Sequence, residues 1–413
     1  MSNPSQSALP KVSNEMAQLS VSENQLSTFG LSTQLSLLGR NTDEQYGFVN
    51  PPLYRGSTVI HKTLDSIENS KGKFYYGAAG SPTVANLEDA WCHLTGAAGT
   101  VLSPSGLSSI TIALLCLVKA GDHILVCDSV YQPTRVFCDG LLAKLGVRTQ
   151  YYNPLIGDDL EELIGPNTSL IYLESPGSQT METQDIPTIV RIAKKHGIKT
   201  ILDNTWATPL FFNAHGHGID ISLEAGTKYL GGHSDLFIGL TSANEACWPA
   251  LRKTYDTMCA LPGADDCLLA LRGMRTLHLR LKEIERKTLE LATWLSERSE
   301  VAEVRHPAMK TCPGHANWLR DYKGSSGVFS IVLKDAFTRG GLENMLENMS
   351  LFKLGFSWGG YDSLIIPINP RAYRTILEWP QTGFAMRVQV GLEDPEDLKR
   401  DLELGFDRLA GKN

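Results

Sequence analysis

Between Gly99 and Leu202 the chain alternates short apolar runs with longer amphipathic ones, a pattern that few folds satisfy. GTVLS (99–103), HILVCD (123–128), VRTQYY (147–152), SLIYLE (169–174) and Ile198–Leu202 read as strands. Leu107–Lys119, Tyr131–Lys144 and Ile186–His196 read as the helices between them. Apolar strands separated by helices form a mostly parallel sheet covered on both faces, so the expected class is α/β. Ligands of such sheets sit beyond the carboxyl ends of the strands. Ser105-Gly106, Asp128, Glu174, Asp203 and Lys228 all fall there.

The 413 residues exceed what one core usually serves, which predicts two domains. Residues 1 to about 30 are rich in Ser, Asn and Gln and read as a loose leader, and Asp43–Lys73 shows turn residues with little periodicity. Residues 1–75 are therefore taken as an N-terminal arm and 76–270 as the α/β domain. A long helix from about Cys267 to Arg298 leads into a smaller α+β domain, 271–413. That domain holds the strand-like runs 328–333 and 363–368 and a helix from Pro395 to Arg408.

Thirty-eight basic against 45 acidic residues, a net charge of −7 without long runs of one sign, argue against nucleic acid or an anionic membrane as partner. A small molecule is the expected ligand. The eight cysteines show no CxxC or Cys/His spacing, so no metal site is expected. Several lie in apolar runs, as buried free thiols of a reducing compartment would. No apolar run reaches the roughly 18 residues of a membrane span, and no signal pattern opens the chain. A cytoplasmic location is expected.

The chemistry concentrates between Ile198 and Asp235. The strand-like run Ile198–Leu202 ends in Asp203, and 25 residues later Thr227 and Lys228 follow the run Ile219–Leu223 into a Gly-rich turn. Alone, Lys228 reads as a solvated surface lysine, and Asp203 as a helix N-cap. Together they are what pyridoxal phosphate (PLP) requires: an amine for the Schiff base, and a carboxylate that keeps the pyridine nitrogen protonated. Ser105-Gly106-Leu107-Ser108 before an apolar helix reads as an ordinary cap and equally as a phosphate site of backbone N–H groups. Tyr131 reads as a core tyrosine or as a ring that stacks on a flat cofactor. Arg387, in a strand-like run before the last helix, reads as an exposed strand residue or as a bidentate anchor for an α-carboxylate.

Taken together, Asp203-Asn204-Thr205-Trp206 and Ala225-Gly226-Thr227-Lys228-Tyr229-Leu230-Gly231-Gly232-His233-Ser234-Asp235 resemble the core of the Cys/Met-metabolism, or transsulfuration, PLP enzymes of fold type I. The resemblance runs from about Leu31 to the C-terminus. Glu174-Ser175-Pro176-Gly177-Ser178-Gln179-Thr180-Met181-Glu182, the run Phe356–Tyr361, and Arg387 to Leu392 with Glu393-Asp394 are more similar to the cystathionine β-lyases than to the γ-synthases and γ-lyases. The γ-enzymes usually carry SLGG where this chain has Ser357-Trp358-Gly359-Gly360.

The resemblance implies that PLP is the cofactor and an amino acid the substrate. It makes Lys228 the Schiff-base and proton-moving lysine, and Asp203 the partner of the pyridine nitrogen. Tyr131 would stack on the ring, and Gly106, Leu107 and Thr227 would bind the phosphate. Ser357, Trp358 and Arg387 would receive the substrate, the first and last its carboxylate. Tyr76 would reach the phosphate of a neighbouring subunit's site, within a homotetramer built as a dimer of dimers.

One departure stands out. The family usually reads Tyr-Gly-Arg where this chain has Tyr76-Gly77-Ala78, so a charge-assisted phosphate contact of roughly 1.5–3 kcal/mol is missing. Arg55 is a candidate to replace it. The expected reaction is β-elimination from cystathionine or a related cysteine S-conjugate. Two alternatives remain at this point: a γ-lyase or γ-replacement enzyme whose substrate has a non-anionic distal group, and a catalytically silent oligomeric binding protein of the same fold.

Overall fold

A computed structural model describes residue 21 and residues 23–412. The leader expected over residues 1–30 therefore lies largely outside the described residues. Seven strands form the larger sheet: β1 (Gly99–Ser103), β2 (His123–Cys127), β3 (Arg148–Tyr152), β4 (Thr168–Glu174), β5 (Lys199–Asp203), β6 (Ile221–Ala225) and β7 (Gly239–Ala243). Their spatial order is β1-β7-β6-β5-β4-β2-β3. All run parallel except β7, which lies antiparallel between β1 and β6. The expected mostly parallel sheet is present.

Neighbouring residues of a strand point to opposite faces, and in β1 the two faces enter different cores. Val101 joins a core with Ile110, Leu125, Ile171, Ile189 and Leu202, whereas Leu102 joins one with Trp91, Leu240, Met274 and Leu277. The second core is covered by the helix Ala264–Ser296, 33 residues long. β8 (Val301–Arg305), β9 (Val328–Leu333), β10 (Leu364–Ile368) and β11 (Ala385–Gln389) form a separate antiparallel sheet, in the order β10-β11-β9-β8. A third core, with Leu295, Phe329, Ile331, Val388 and Phe406, packs it against the helices Arg339–Glu347 and Pro395–Leu409.

Three expectations shift. β6 starts two residues later than the apolar run, because the Asp220 carboxylate accepts from Thr200 N–H (2.9 Å) and the ladder begins at Ile201 and Ile221. The helix read from Tyr131 to Lys144 does run to Lys144, with Tyr131 as its N-cap, but it is α-helical over Gln132–Phe137 and winds as a π turn over Cys138–Leu142 before its last two residues. β7 is new. Its sequence, Gly-Leu-Thr-Ser-Ala, has little apolar content, yet all five residues are buried.

Candidate active site

Six of the expected residues, Gly106, Leu107, Tyr131, Asp203, Thr227 and Lys228, gather at the carboxyl ends of β1, β2, β5 and β6. The helix Gly106–Leu117 starts just after β1, and Ser105 Oγ accepts from Ser108 N–H (3.1 Å). Gly106 and Leu107 belong to the first turn, whose N–H groups have no intrahelical acceptor. A side chain at position 106 would lie 2.5 Å from Ala225 Cβ, so only glycine lets this helix start approach the end of β6. Together these features form a compact anion cradle at a helix N-terminus.

Lys228 follows β6, and its turn is seated from two sides. Arg280, buried on the long helix, donates to the carbonyls of Tyr229 (2.7 Å), Leu230 (3.2 Å) and Gly273 (2.8 Å). On the other side Gly359, at φ +84°, lies against the Lys228 backbone, where any Cβ would come within 2.9–3.0 Å of it. Arg280 and Gly359 were not among the residues expected from sequence. Their partners are about 50 and 130 residues away, beyond any local pattern. The Thr227 hydroxyl is engaged with Ile238, accepting from its N–H (3.0 Å) and donating to its C=O (3.2 Å).

The Lys228 amine lies 2.5 Å from Ser357 Oγ and 5.2 Å from the centre of the Trp358 ring. Ser357 is held in a left-handed conformation, φ +71°. Arg387 on β11 braces this loop through Nη2, which donates to the carbonyls of Gly355 (3.1 Å) and Ser357 (2.8 Å). Its Nε, also buried, has no hydrogen-bond partner among the described residues. Burial pulls the Arg387 guanidinium down to about 10, an expensive setting for a cation without a counter-charge. An arriving carboxylate would supply one.

Asp203 ends β5 beside Leu223 of β6. Its carboxylate accepts from Thr205 N–H (3.0 Å) and Thr205 Oγ1 (2.5 Å). Burial raises its pKa, against the lowering pull of Thr205 and Lys228. Lys228 is drawn the other way, to about 8, first by burial and then by Arg387, with Asp203 opposing. Both shifts have one cause, two ionisable groups in a dry pocket. A protonated pyridine nitrogen beside Asp203 would restore its charge, so the donor set fits PLP.

Tyr131 is 44% exposed, on the open side of the pocket, and its N–H donates to Glu174 Oε2 (2.7 Å). Tyr76 is also exposed, next to the turn Gly77–Ala79. Nothing among its described contacts joins it to Lys228. Arg55 forms an ion pair with Asp265 at the start of the long helix. Among the described residues no cluster of three or more His, Cys, Asp or Glu is arranged to hold a metal, and no helix is long and apolar enough to cross a membrane.

A parallel sheet with an aspartate and a lysine at the ends of adjacent strands, and a helix N-terminus for an anion, defines a PLP enzyme of fold type I. The chain belongs to the Cys/Met metabolism PLP-dependent enzyme family, whose model matches residues 32–407. A protein of Saccharomyces cerevisiae named "Putative cystathionine beta-lyase" is 71% identical over 82% of this chain and 100% of its own. The cystathionine beta-lyase of Escherichia coli K12 is 41% identical over 92% and 99%. A solved cystathionine gamma synthase from Xanthomonas oryzae, in complex with cystathionine, superposes with a TM-score of 0.85 at 26% identity, covering 93% of this chain and all of that one.

Proposed function

We propose that this protein is a carbon–sulfur lyase that cleaves the Cβ–S bond of L-cystathionine or a related cysteine S-conjugate. The observation that carries the reading is the Lys228–Ser357–Arg387 arrangement, which sets a readily deprotonated amine beside a braced carboxylate anchor. PLP supplies the electron sink that makes the Cα proton removable. Arg387 and Ser357 bind the substrate carboxylate and so aim Cα–H at Lys228, with Trp358 closing one side. Lys228 Nζ takes the Cα proton; Asp203 holds the proton of the pyridine nitrogen; Tyr131 covers the ring. The Cα–H and Cβ–S bonds break, and the sulfur leaves as a thiol after taking a proton. Hydrolysis of the remaining three-carbon unit yields pyruvate and ammonia. With cystathionine the thiol is homocysteine.

Phosphate binding falls to the N–H groups of Gly106 and Leu107. Thr227 would contribute only by exchanging Ile238 C=O for phosphate. Tyr76, just after an arm over residues 1–75, is taken to act in a neighbouring subunit. The cofactor domain is then 76–270 and the smaller domain 271–413. The functional unit is a cytoplasmic homotetramer. Exposed apolar side chains between Tyr46 and Ile67 support such an arm, since a monomer would leave them in water.

A γ-elimination reading keeps one specific support: with Ala78 uncharged and Arg55 tied to Asp265, no arginine from this stretch is free for an anion at the mouth. Keto-acid products from a panel of amino acids distinguish the two. Pyruvate supports β-cleavage, and 2-oxobutyrate as the main product from cystathionine contradicts it.

A further inference from the structure

Glu174 is the last residue of β4 and pairs in register with Asp203 of β5. Its backbone is anchored on both sides, N–H to Cys127 Sγ (3.3 Å) and C=O to Gln184 Nε2 (2.9 Å), so the side chain is aimed rather than free. The proposed mechanism gives this carboxyl no part, yet it lies at the floor of the same pocket. One of its oxygens, Oε2, accepts the N–H of Tyr131 at 2.7 Å. Tyr131 is the N-cap of a six-residue helix, and its own side chain makes no capping bond. The Glu174 bond therefore fixes where the chain turns from β2 toward the tyrosine ring.

We propose that Glu174 is a positioning residue: it seats Tyr131 over the cofactor and shares the pocket floor with Asp203 as a carboxyl pair bearing a single negative charge. The inference rests on the cofactor reading above. Two carboxylates on adjacent strand ends in a dry pocket do not both ionise cheaply. The charge belongs on Asp203, which has two donors from Thr205 and faces Lys228, whereas Glu174 has one backbone donor. Burial, and then the charge of Asp203, raises the Glu174 carboxyl well above its ordinary range. A neutral acid still accepts the Tyr131 N–H through its carbonyl oxygen, and it leaves the charge under the pyridine nitrogen undivided.

The test uses Glu174→Gln, a neutral isostere that keeps the acceptor, and Glu174→Ala, which removes it. PLP dissociation constants of the apoproteins are measured by absorbance, the circular dichroism of the bound cofactor reports ring tilt, and thermal melts control for folding. Glu174→Ala should bind PLP about tenfold more weakly with an altered dichroism band, while Glu174→Gln stays within about threefold of wild type with the band unchanged. If Gln is as impaired as Ala, the carboxylate charge is required and the assignment fails. If Ala binds like wild type, it fails as well. Wild-type apoprotein that takes up no PLP would overturn the cofactor reading itself, an outcome distinct from either.

Discussion

Lys228 must be a neutral amine near neutral pH to attack an aldehyde, and a lysine in water is not. Burial pulls it to about 8, with the neighbouring Arg387 adding to the fall. Capture of PLP by the apoprotein should therefore quicken as pH rises, with its midpoint near 8 and a plateau about a unit above, where an ordinary lysine would have its midpoint at 10.5. Stopped-flow absorbance across pH 6.5–10 reads this directly. Lys228→Ala should lose turnover by at least about 10²–10⁴, the usual share of a positioned base. Arg387→Lys keeps the charge but not the paired donors. It should raise KM for the amino acid about tenfold to a hundredfold, with kcat affected less. Asp203 and Lys228 were legible in sequence because one ends a buried strand, the other follows the next in a Gly-rich turn, and the two lie 25 residues apart. Arg280 was not recognised, and Glu174 was placed at the strand ends without a role, since their meaning comes from two carbonyls of a distant turn and from a hydrogen bond to Tyr131.

Among the elements, the long helix Ala264–Ser296 has the widest influence on the site, for it carries both Arg280 and Gly273. A Cβ at position 273 would come 2.1 Å from Leu230 C=O, so Gly273→Ala forces helix and turn apart. Such overpacking costs typically 1–3 kcal/mol. The expected result is a lower melting temperature together with weaker PLP binding, because the displaced turn is the one that bears Lys228. A variant with unchanged cofactor affinity would show that the helix does not seat this turn. Amphipathic periodicity announced this helix to within three residues at either end. β7 escaped notice for the opposite reason: a Gly-Leu-Thr-Ser-Ala run has too little apolar character to read as a strand, and only its neighbours β1 and β6 bury it.

At the scale of the molecule, the two sheets meet near His306, fully buried between Trp206, the residue after the Thr205 that donates to Asp203, and Phe329 of β9. Its Nδ1 accepts Ala308 N–H (3.1 Å), which requires the neutral ring, and burial lowers its pKa from 6.5 to about 4. The unfolded chain binds this proton first, so stability is full above pH 6.5 and falls as the pH drops toward 4. The slope is about 1.4 kcal/mol per pH unit and the total loss about 3 kcal/mol. Urea unfolding at pH 7.5 and pH 5 should show about 2 kcal/mol of that loss in the wild type and less of it in His306→Gln. Assembly belongs to this scale too. Sedimentation should find four chains in the particle, and deleting residues 1–75 should break it down.

The central claim is that this site cleaves Cβ–S. The most direct measurement is the identity of the keto acid released from L-cystathionine by the holoenzyme, resolved by mass. Pyruvate, formed in step with homocysteine and absent with Lys228→Ala, is the predicted result. Accumulation of 2-oxobutyrate with cysteine, or no keto acid from any sulfur amino acid, would contradict it.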